Sequence, residues 1–425
     1  MDKTVLKSAT LAVAGGAPAQ KDILVENGRF ARIADRLAPE ETENAVVVDC
    51  SSFAVMPAFY NGHTHAAMTL LRGYADDMEL GRWLTEYIWP FEAKLTADDI
   101  ETGSRLAVLE MIKSGTVFFA DMYWQRGRTI EVVEEMGVRA AIGVTIADAL
   151  LSEEQLEECF DFLAAHTGES DRVKLVVMPH SVYAATEATL RRCIEIARAE
   201  NYLIHTHLCE TAKEVADCQA KYGCGPVELW RRLGGLDDRF VAAHCVQFTE
   251  SDIRAFAEAG ATAVLNPTSN LKLCSGIPPV PALLAGGVKL ALGTDGASSN
   301  NSLDMHAEMK LAALLAKVQG TAETLPAQAA LDMATRNVAR AYGLPDGAGE
   351  IREGAPADCL LVDLRNERMV PAHDLASNWV YAADATAIDS VLCAGRFLMR
   401  HRHVDGEEDI LEAARARARR LAARQ

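Results

Sequence analysis

Basic charge is in deficit in this chain: 42 Lys and Arg stand against 60 Asp and Glu, a formal net charge of -18. That balance repels phosphate backbones and anionic lipid, so neither nucleic acid nor a membrane is an expected partner. Long hydrophobic runs are missing too, none approaching the roughly 20 residues of a bilayer-spanning helix. No C-x-x-C pair occurs among the 10 cysteines, which fall mostly inside apolar or helical stretches. This suits reduced core thiols and a cytoplasmic protein, with Cys209 and Cys245 read as packing residues. Internal repeats and low-complexity linkers are absent. Residues 7–20 imitate a signal peptide's apolar stretch and cleavage site. That stretch is short and glycine-broken, however, and runs at once into Ile23-Leu24-Val25-Glu26-Asn27-Gly28-Arg29-Phe30, whose Asn-Gly between apolar runs marks a hairpin of the mature protein.

What the chain does have is histidine in a telling arrangement. Asn61-Gly62-His63-Thr64-His65 follows the apolar run Phe53-Ala54-Val55-Met56-Pro57. In a strand, side chains at i and i+2 share a face, so both rings can reach one ion at the strand's end. His180 ends the run from Val173 to Pro179, His207 follows Tyr202-Leu203-Ile204-His205-Thr206, His244 ends Phe240-Val241-Ala242-Ala243, and Asp295 closes the run from Val288 to Thr294. Helix-like sequence separates these runs. Polar groups at the carboxyl ends of several short apolar strands are the pattern of a parallel α/β barrel with its active site at that face.

Ligand chemistry narrows the set. His63, His65 and His207 supply three neutral nitrogens and Asp295 one carboxylate, which suits zinc, with ferrous iron the alternative, and leaves room for a water activated by the cation. Glu210, three residues past His207, would return over the metal to carry a proton. His205 shares the parity of His207 one layer deeper and reads as a buried, hydrogen-bonded barrel residue instead of a ligand.

With these segments in order, the chain resembles the amidohydrolase superfamily and, within it, the S-adenosylhomocysteine/5'-methylthioadenosine deaminases. The resemblance spans essentially all 425 residues. It is carried by Asn61 to Gly73, Trp89-Pro90-Phe91-Glu92, Pro179-His180-Ser181, His207-Leu208-Cys209-Glu210-Thr211, Ala243-His244-Cys245, Asn266 to Leu273 and Gly293 to Ser302. It implies a (β/α)8 barrel, of α/β class, beside a small discontinuous β-sandwich built by both termini. It also implies one metal ion, because His180 stands where binuclear relatives place a bridging lysine.

By the same resemblance, His63, His65, His207 and Asp295 hold the metal. Asp295 takes a proton from the attacking water, His244 orients that water and steadies developing charge, and Glu210 protonates the purine ring nitrogen. Glu92 accepts the ribose hydroxyls and His180 contacts the nucleoside from the opposite wall. By residue type alone, Glu92 would read as a surface cap or ion-pair partner. One departure concerns Gly137-Val138-Arg139-Ala140-Ala141-Ile142-Gly143-Val144. Val144 stands where relatives accepting S-adenosylhomocysteine carry a carboxylate-binding arginine, which puts that substrate in doubt; Arg126 or Arg128 could substitute from a neighbouring loop.

The expected organisation is a β-sandwich from residues 1–56 and 357–404, a catalytic barrel over 57–356, and a C-terminal helix over 405–425. The arginines Arg415, Arg417, Arg419, Arg420 and Arg424 of that helix read as a solvated face. The sequence leaves a homo-oligomer, the native metal and the preferred 5'-substituent open. Two other readings compete with this one: an amidohydrolase acting on triazines, pyrimidines or cyclic amides, against which Glu92 and His180 argue, and a non-catalytic binding protein, against which the full ligand set argues.

Overall fold

The computed structural model describes residues 3–12 and 18–422. Eight strands, β6 (Phe59–Thr64), β7 (Thr116–Asp121), β8 (Arg139–Ile146), β9 (Val173–Pro179), β10 (Ile204–Leu208), β11 (Phe240–His244), β12 (Thr262–Leu265) and β13 (Lys289–Leu292), follow five strands that belong to a second sheet. They pair in chain order, every neighbour parallel. All of β8 is buried, as are all of β6, β7, β10, β11 and β12. Near-continuous apolar strands of this kind are stable only when helices cover their outer face. Between them run helices such as Ala97–Lys113, Glu153–Ala164 and Glu250–Ala259, each begun by a hydroxyl cap, Thr96, Ser152 or Thr249, in a capping box.

The barrel closes at the carboxyl ends of its first and last strands. Asp295 N donates to His63 O at 3.0 Å, and the Asn61 amide bonds both N and Oγ1 of Thr294. Gly293 permits this approach, since a Cβ there would lie 2.6 Å from His63 N.

The termini build a second sheet from β1 (Lys3–Leu11), β2 (Ala19–Glu26), β3 (Arg29–Ala34), β4 (Val46–Asp49), β5 (Phe53–Pro57), β14 (Cys359–Asp363), β15 (Ile388–Cys393) and β16 (Arg396–Met399). Along one edge β1 pairs first with β4 and then, at Thr10, with β5. The sheet thus branches and folds over a core of its own that includes Leu6, Ile23, Phe30, Val55, Leu361 and Leu392. Asn27 and Gly28 both have positive φ between β2 and β3, as the Asn-Gly signal predicts. Residues 13–17 of the signal-like stretch lie outside the described residues; the flanking segments are β1 and β2.

One expectation needs correction. The apolar run Phe53–Pro57 does not lead into the histidines along one strand: it is β5, paired with β14, while His63 rides on the separate strand β6. Pro57 carries no amide hydrogen to continue the ladder, and Phe59 N then donates to Gly115 O, opening the barrel's own pairing.

The two sheets are joined through Arg139 and Asp358. Buried Asp358 takes both guanidinium nitrogens of Arg139, the Tyr60 hydroxyl and Ala394 N. The terminal helix Glu407–Ala422 packs on Ala97–Lys113, with Arg417 bonded to Asp99 at 3.1 Å; Arg424 lies outside the described residues. No helix among the described residues is long and apolar enough to cross a membrane.

Candidate active site

Residues far apart in the chain meet at the carboxyl ends of the barrel strands. His63 lies within β6 and His65 just past it, His207 near the end of β10, His244 at the end of β11, and Asp295 three residues beyond β13. Asp295 Oδ1 stands 3.2 Å from His65 Nε2 and 3.6 Å from His63 Nε2, and His207 Nε2 stands 3.3 Å from His65 Nε2. All four of these residues are buried. Asp295, His244, Cys245 and Cys209 all have positive φ, a left-handed backbone that costs about 1–3 kcal/mol per residue and that surrounding contacts must hold in place.

These donors fit a cation. His65 Nδ1 donates to Met122 O at 2.5 Å and His207 Nδ1 to His180 O at 2.8 Å. Carbonyls only accept, so both Nε2 atoms carry lone pairs, and those lone pairs face each other beside a carboxylate. Only a proton or a metal ion relieves that arrangement. His63 Nε2, aimed into the same space, is buried without a hydrogen-bond partner among the described residues. His63, His65 and Asp295 form one group able to hold an ion, and His63, His207 and His244 another. Asp295 turns Oδ1 toward His63 and His65. Its other oxygen accepts from Ser269 and Ser299 hydroxyls at 2.5 and 2.9 Å.

Proton-handling groups adjoin this cluster. Glu210 is buried, accepts from the Ser275 hydroxyl at 3.2 Å and lies 3.8 Å from His244 Nε2. Burial, followed by the charge of Asp295, pushes its carboxyl up to about 8, so near neutrality it carries a proton. Burial pushes His244 down to about 4, and Asn270 Nδ2 donates to its Nδ1 at 2.8 Å, which leaves the proton on Nε2 toward Glu210. Burial likewise pushes His180 down to about 3.

Glu92, on the short helix Trp89–Glu92, and His180, just past β9, line the same cavity as the cluster, together with Trp83, Tyr123 and Tyr183. Its aromatic walls suit a flat ring. Glu92 Oε1 is buried with no partner among the described residues, and burial raises its carboxyl. An acceptor left unpaired at a cavity wall is an acceptor available to a ligand.

The structure relocates the residues discussed for the 5'-substituent. Val144 is fully buried in the apolar core and its neighbour Thr145 lines the cavity instead. Arg126 and Arg128 line an outer cleft that shares Glu92, Tyr123 and Trp124 with the inner one. Both are already paired, Arg126 with Glu158 at 2.7 Å and Arg128 with Glu131 at 2.9 Å. Sequence reasoning missed the roles of Ser269, Ser275, Ser299 and Asn270. The first and the last two fall in the segments Asn266 to Leu273 and Gly293 to Ser302, and only their clustering around Asp295 and His244 gave a signal.

Comparison with known proteins agrees with this geometry. The model described as Amidohydrolase family matches residues 54–398. A protein of Methanospirillum hungatei named 5'-deoxyadenosine deaminase is 43% identical over 384 residues, covering 88% of this chain and 85% of its own length. A Desulforudis audaxviator protein named 5-methylthioadenosine/S-adenosylhomocysteine deaminase is 40% identical over 426 residues, covering 99% of each chain. The crystal structure of an adenosine deaminase from Xanthomonas campestris with bound zinc superimposes with a TM-score of 0.93 at 33% identity, covering 99% of each chain.

Proposed function

The chain belongs to the amidohydrolase family, and from that membership we propose that it is a metal-dependent hydrolase that deaminates the adenine base of adenosine-type nucleosides. Its substrates are 5'-methylthioadenosine, S-adenosylhomocysteine, adenosine or 5'-deoxyadenosine, and its products the inosine analogue and ammonia. The observation that carries this reading is a pair of carboxyl groups in one aromatic-walled cavity: Glu210, protonated near neutrality beside the imidazole cluster, and Glu92, whose Oε1 at the wall has no partner among the described residues.

His63, His65, His207 and Asp295 would hold one Zn2+, with Fe2+ the alternative. When bound there, the cation supplies Lewis-acid activation of a water at neutral pH. Asp295 accepts the proton that this water gives up, its second oxygen anchored by Ser269 and Ser299. His244 donates from Nε2 to the oxygen as it attacks the amino-bearing carbon. Glu210 passes its proton to the adjacent ring nitrogen, which turns that carbon into an electrophile. The amino group then takes the proton held on Asp295 and leaves as ammonia, while the added hydroxyl returns its proton to Glu210 as the carbonyl of the inosine analogue forms. Glu92 accepts the ribose 2'- and 3'-hydroxyls, and neutral His180 contacts the nucleoside.

We also read residues 57–356 as the catalytic barrel, residues 1–56 and 357–404 as a discontinuous flanking unit, and 405–425 as a terminal helix; the two separate hydrogen-bonded sheets support this division. The ten free thiols, nine of them buried, support a cytoplasmic setting.

The test is ammonia release, measured in parallel with loss of adenine absorbance, from the four nucleosides by purified protein with its metal content determined. About one equivalent of metal per chain and deamination of at least one nucleoside are expected. Two equivalents with a carboxylated lysine would refute the single-ion assignment, and absence of ammonia from all four would refute the reaction.

A further inference from the structure

His63 differs from the other two imidazoles of the cluster in what its second nitrogen meets. His65 and His207 direct Nδ1 at carbonyl oxygens, which admit only one polarity. His63 Nδ1 instead lies 2.9 Å from Nε2 of His205, a group able to donate or to accept. Nδ1 of His205 lies 2.6 Å from the Tyr342 hydroxyl, which in turn lies 2.6 Å from the carbonyl oxygen of Gly62. His63 and His205 are fully buried and Tyr342 is 1% exposed, so water enters none of these contacts.

The polarity of this chain is decided at its far end. Gly62 O can only accept, so the single hydroxyl proton of Tyr342 points at it. Toward His205 the phenolic oxygen is therefore an acceptor, and His205 Nδ1 must carry a proton. A second proton on His205 would place an uncompensated charge in the barrel core, where its partners among the described residues are a phenol and an imidazole. His205 Nε2 is therefore a bare lone pair, and His63 Nδ1 must donate to it. What remains on His63 is a bare Nε2, the atom that faces the Asp295 group without a hydrogen-bond partner.

We propose that Tyr342 and His205 are positioning residues that hold His63 in its Nδ1–H tautomer, keeping its Nε2 lone pair available to a divalent cation. The proposal rests on the reading that this cluster holds such a cation. Removing the Tyr342 hydroxyl frees His205 to turn its tautomer around, donate to His63 Nδ1 and drive the His63 proton onto Nε2, where it blocks a metal bond. A glutamate at position 205 would behave differently, because its carboxylate oxygens can only accept from His63 Nδ1 whether or not the tyrosine is present.

Zinc partition between the holoenzyme and a chromophoric chelator tests this. Tyr342→Phe should weaken zinc binding by about 10–100-fold, the usual scale for loss of a partner behind a metal-binding histidine. His205→Glu should bind zinc nearly as the unaltered protein does, and the double variant Tyr342→Phe/His205→Glu should recover what Tyr342→Phe lost. A purely structural tyrosine would give no such recovery. Unchanged zinc affinity in Tyr342→Phe, or a double variant as weak as the single, overturns the proposal. If Tyr342→Phe does not fold, His205→Leu and His205→Glu decide: equal zinc affinities in those two overturn it as well. Ring 15N spectra of the chelator-stripped, otherwise unaltered chain give an independent reading, in which His63 and His205 should both be protonated on Nδ1. An Nε2-protonated His63 refutes the assignment. If the unaltered protein retains no zinc, the metal reading fails, while the ring spectra still decide the tautomer.

Discussion

Replacing Glu210 by glutamine changes one buried group and little else. The amide is isosteric with the carboxyl, its oxygen can still accept from Ser275, and it cannot give a proton to a ring nitrogen. Loss of a positioned general acid costs about 10²- to 10⁴-fold in turnover, or roughly 3–5 kcal/mol of barrier. Folding should not suffer. The substitution removes an ionisable group whose charged form is disfavoured first by burial and then by Asp295, so the melting temperature should hold or rise. The pH profile gives a second signature. A carboxyl raised to about 8 is protonated below that value and loses its proton as pH rises through it, so kcat/KM of the unaltered enzyme should fall on the alkaline side. A cation in the neighbouring cluster favours the carboxylate and moves this limb below 8. The assay is steady-state ammonia release from methylthioadenosine across pH 6–9, with metal content measured on the same preparations. Near-normal turnover by Glu210→Gln at unchanged metal content would refute the role given to this residue.

Other expectations follow from the same contacts. Because Glu92 Oε1 has no partner among the described residues, 2'-deoxyadenosine should be a much poorer substrate than adenosine, and Glu92→Ala should erase most of that difference in kcat/KM; equal activity of the unaltered enzyme on both would remove ribose recognition from this residue. Asp358→Ala strands Arg139 as an unpaired buried cation and should lower unfolding free energy by about 3–5 kcal/mol in urea titrations, whereas replacing both residues by apolar ones should cost far less. With Val144 in the core, Arg126 paired with Glu158 and Arg128 with Glu131, a homocysteine carboxylate would have to compete with an existing ion pair for either guanidinium. Such a contact contributes about 2–3 kcal/mol, so S-adenosylhomocysteine should trail methylthioadenosine by roughly 30- to 150-fold in kcat/KM, and comparable efficiencies would overturn this.

The local physics of the chain made much of this legible in one dimension. Strands buried on both faces must be apolar throughout, so a polar group at the end of each run stands out, and His180, His207 and His244 were visible on that ground. The Asn27-Gly28 turn was legible because positive φ at two successive positions demands such residues. The same reasoning failed at Phe53–Pro57, where apolar character is common to both sheets and only pairing partners distinguish β5 from β6.

The sequence by itself thus determined the barrel, the strand ends and the kinds of groups displayed there, because side-chain periodicity and turn chemistry act over a few residues. Tertiary structure alone decided which of those groups meet. Barrel closure brings Asp295 back against His63 and His65, and folding over of the terminal sheet brings Asp358 to Arg139 across 219 positions. The hydroxyl of Tyr342 reaches His205 across 137 positions and the carbonyl of Gly62 across 280. No local pattern marks Tyr342 as more than a core aromatic. Its partners are set by chain closure over hundreds of residues, and hydrogen-bond polarity is a property of the assembled chain of donors and acceptors, not of any residue within it.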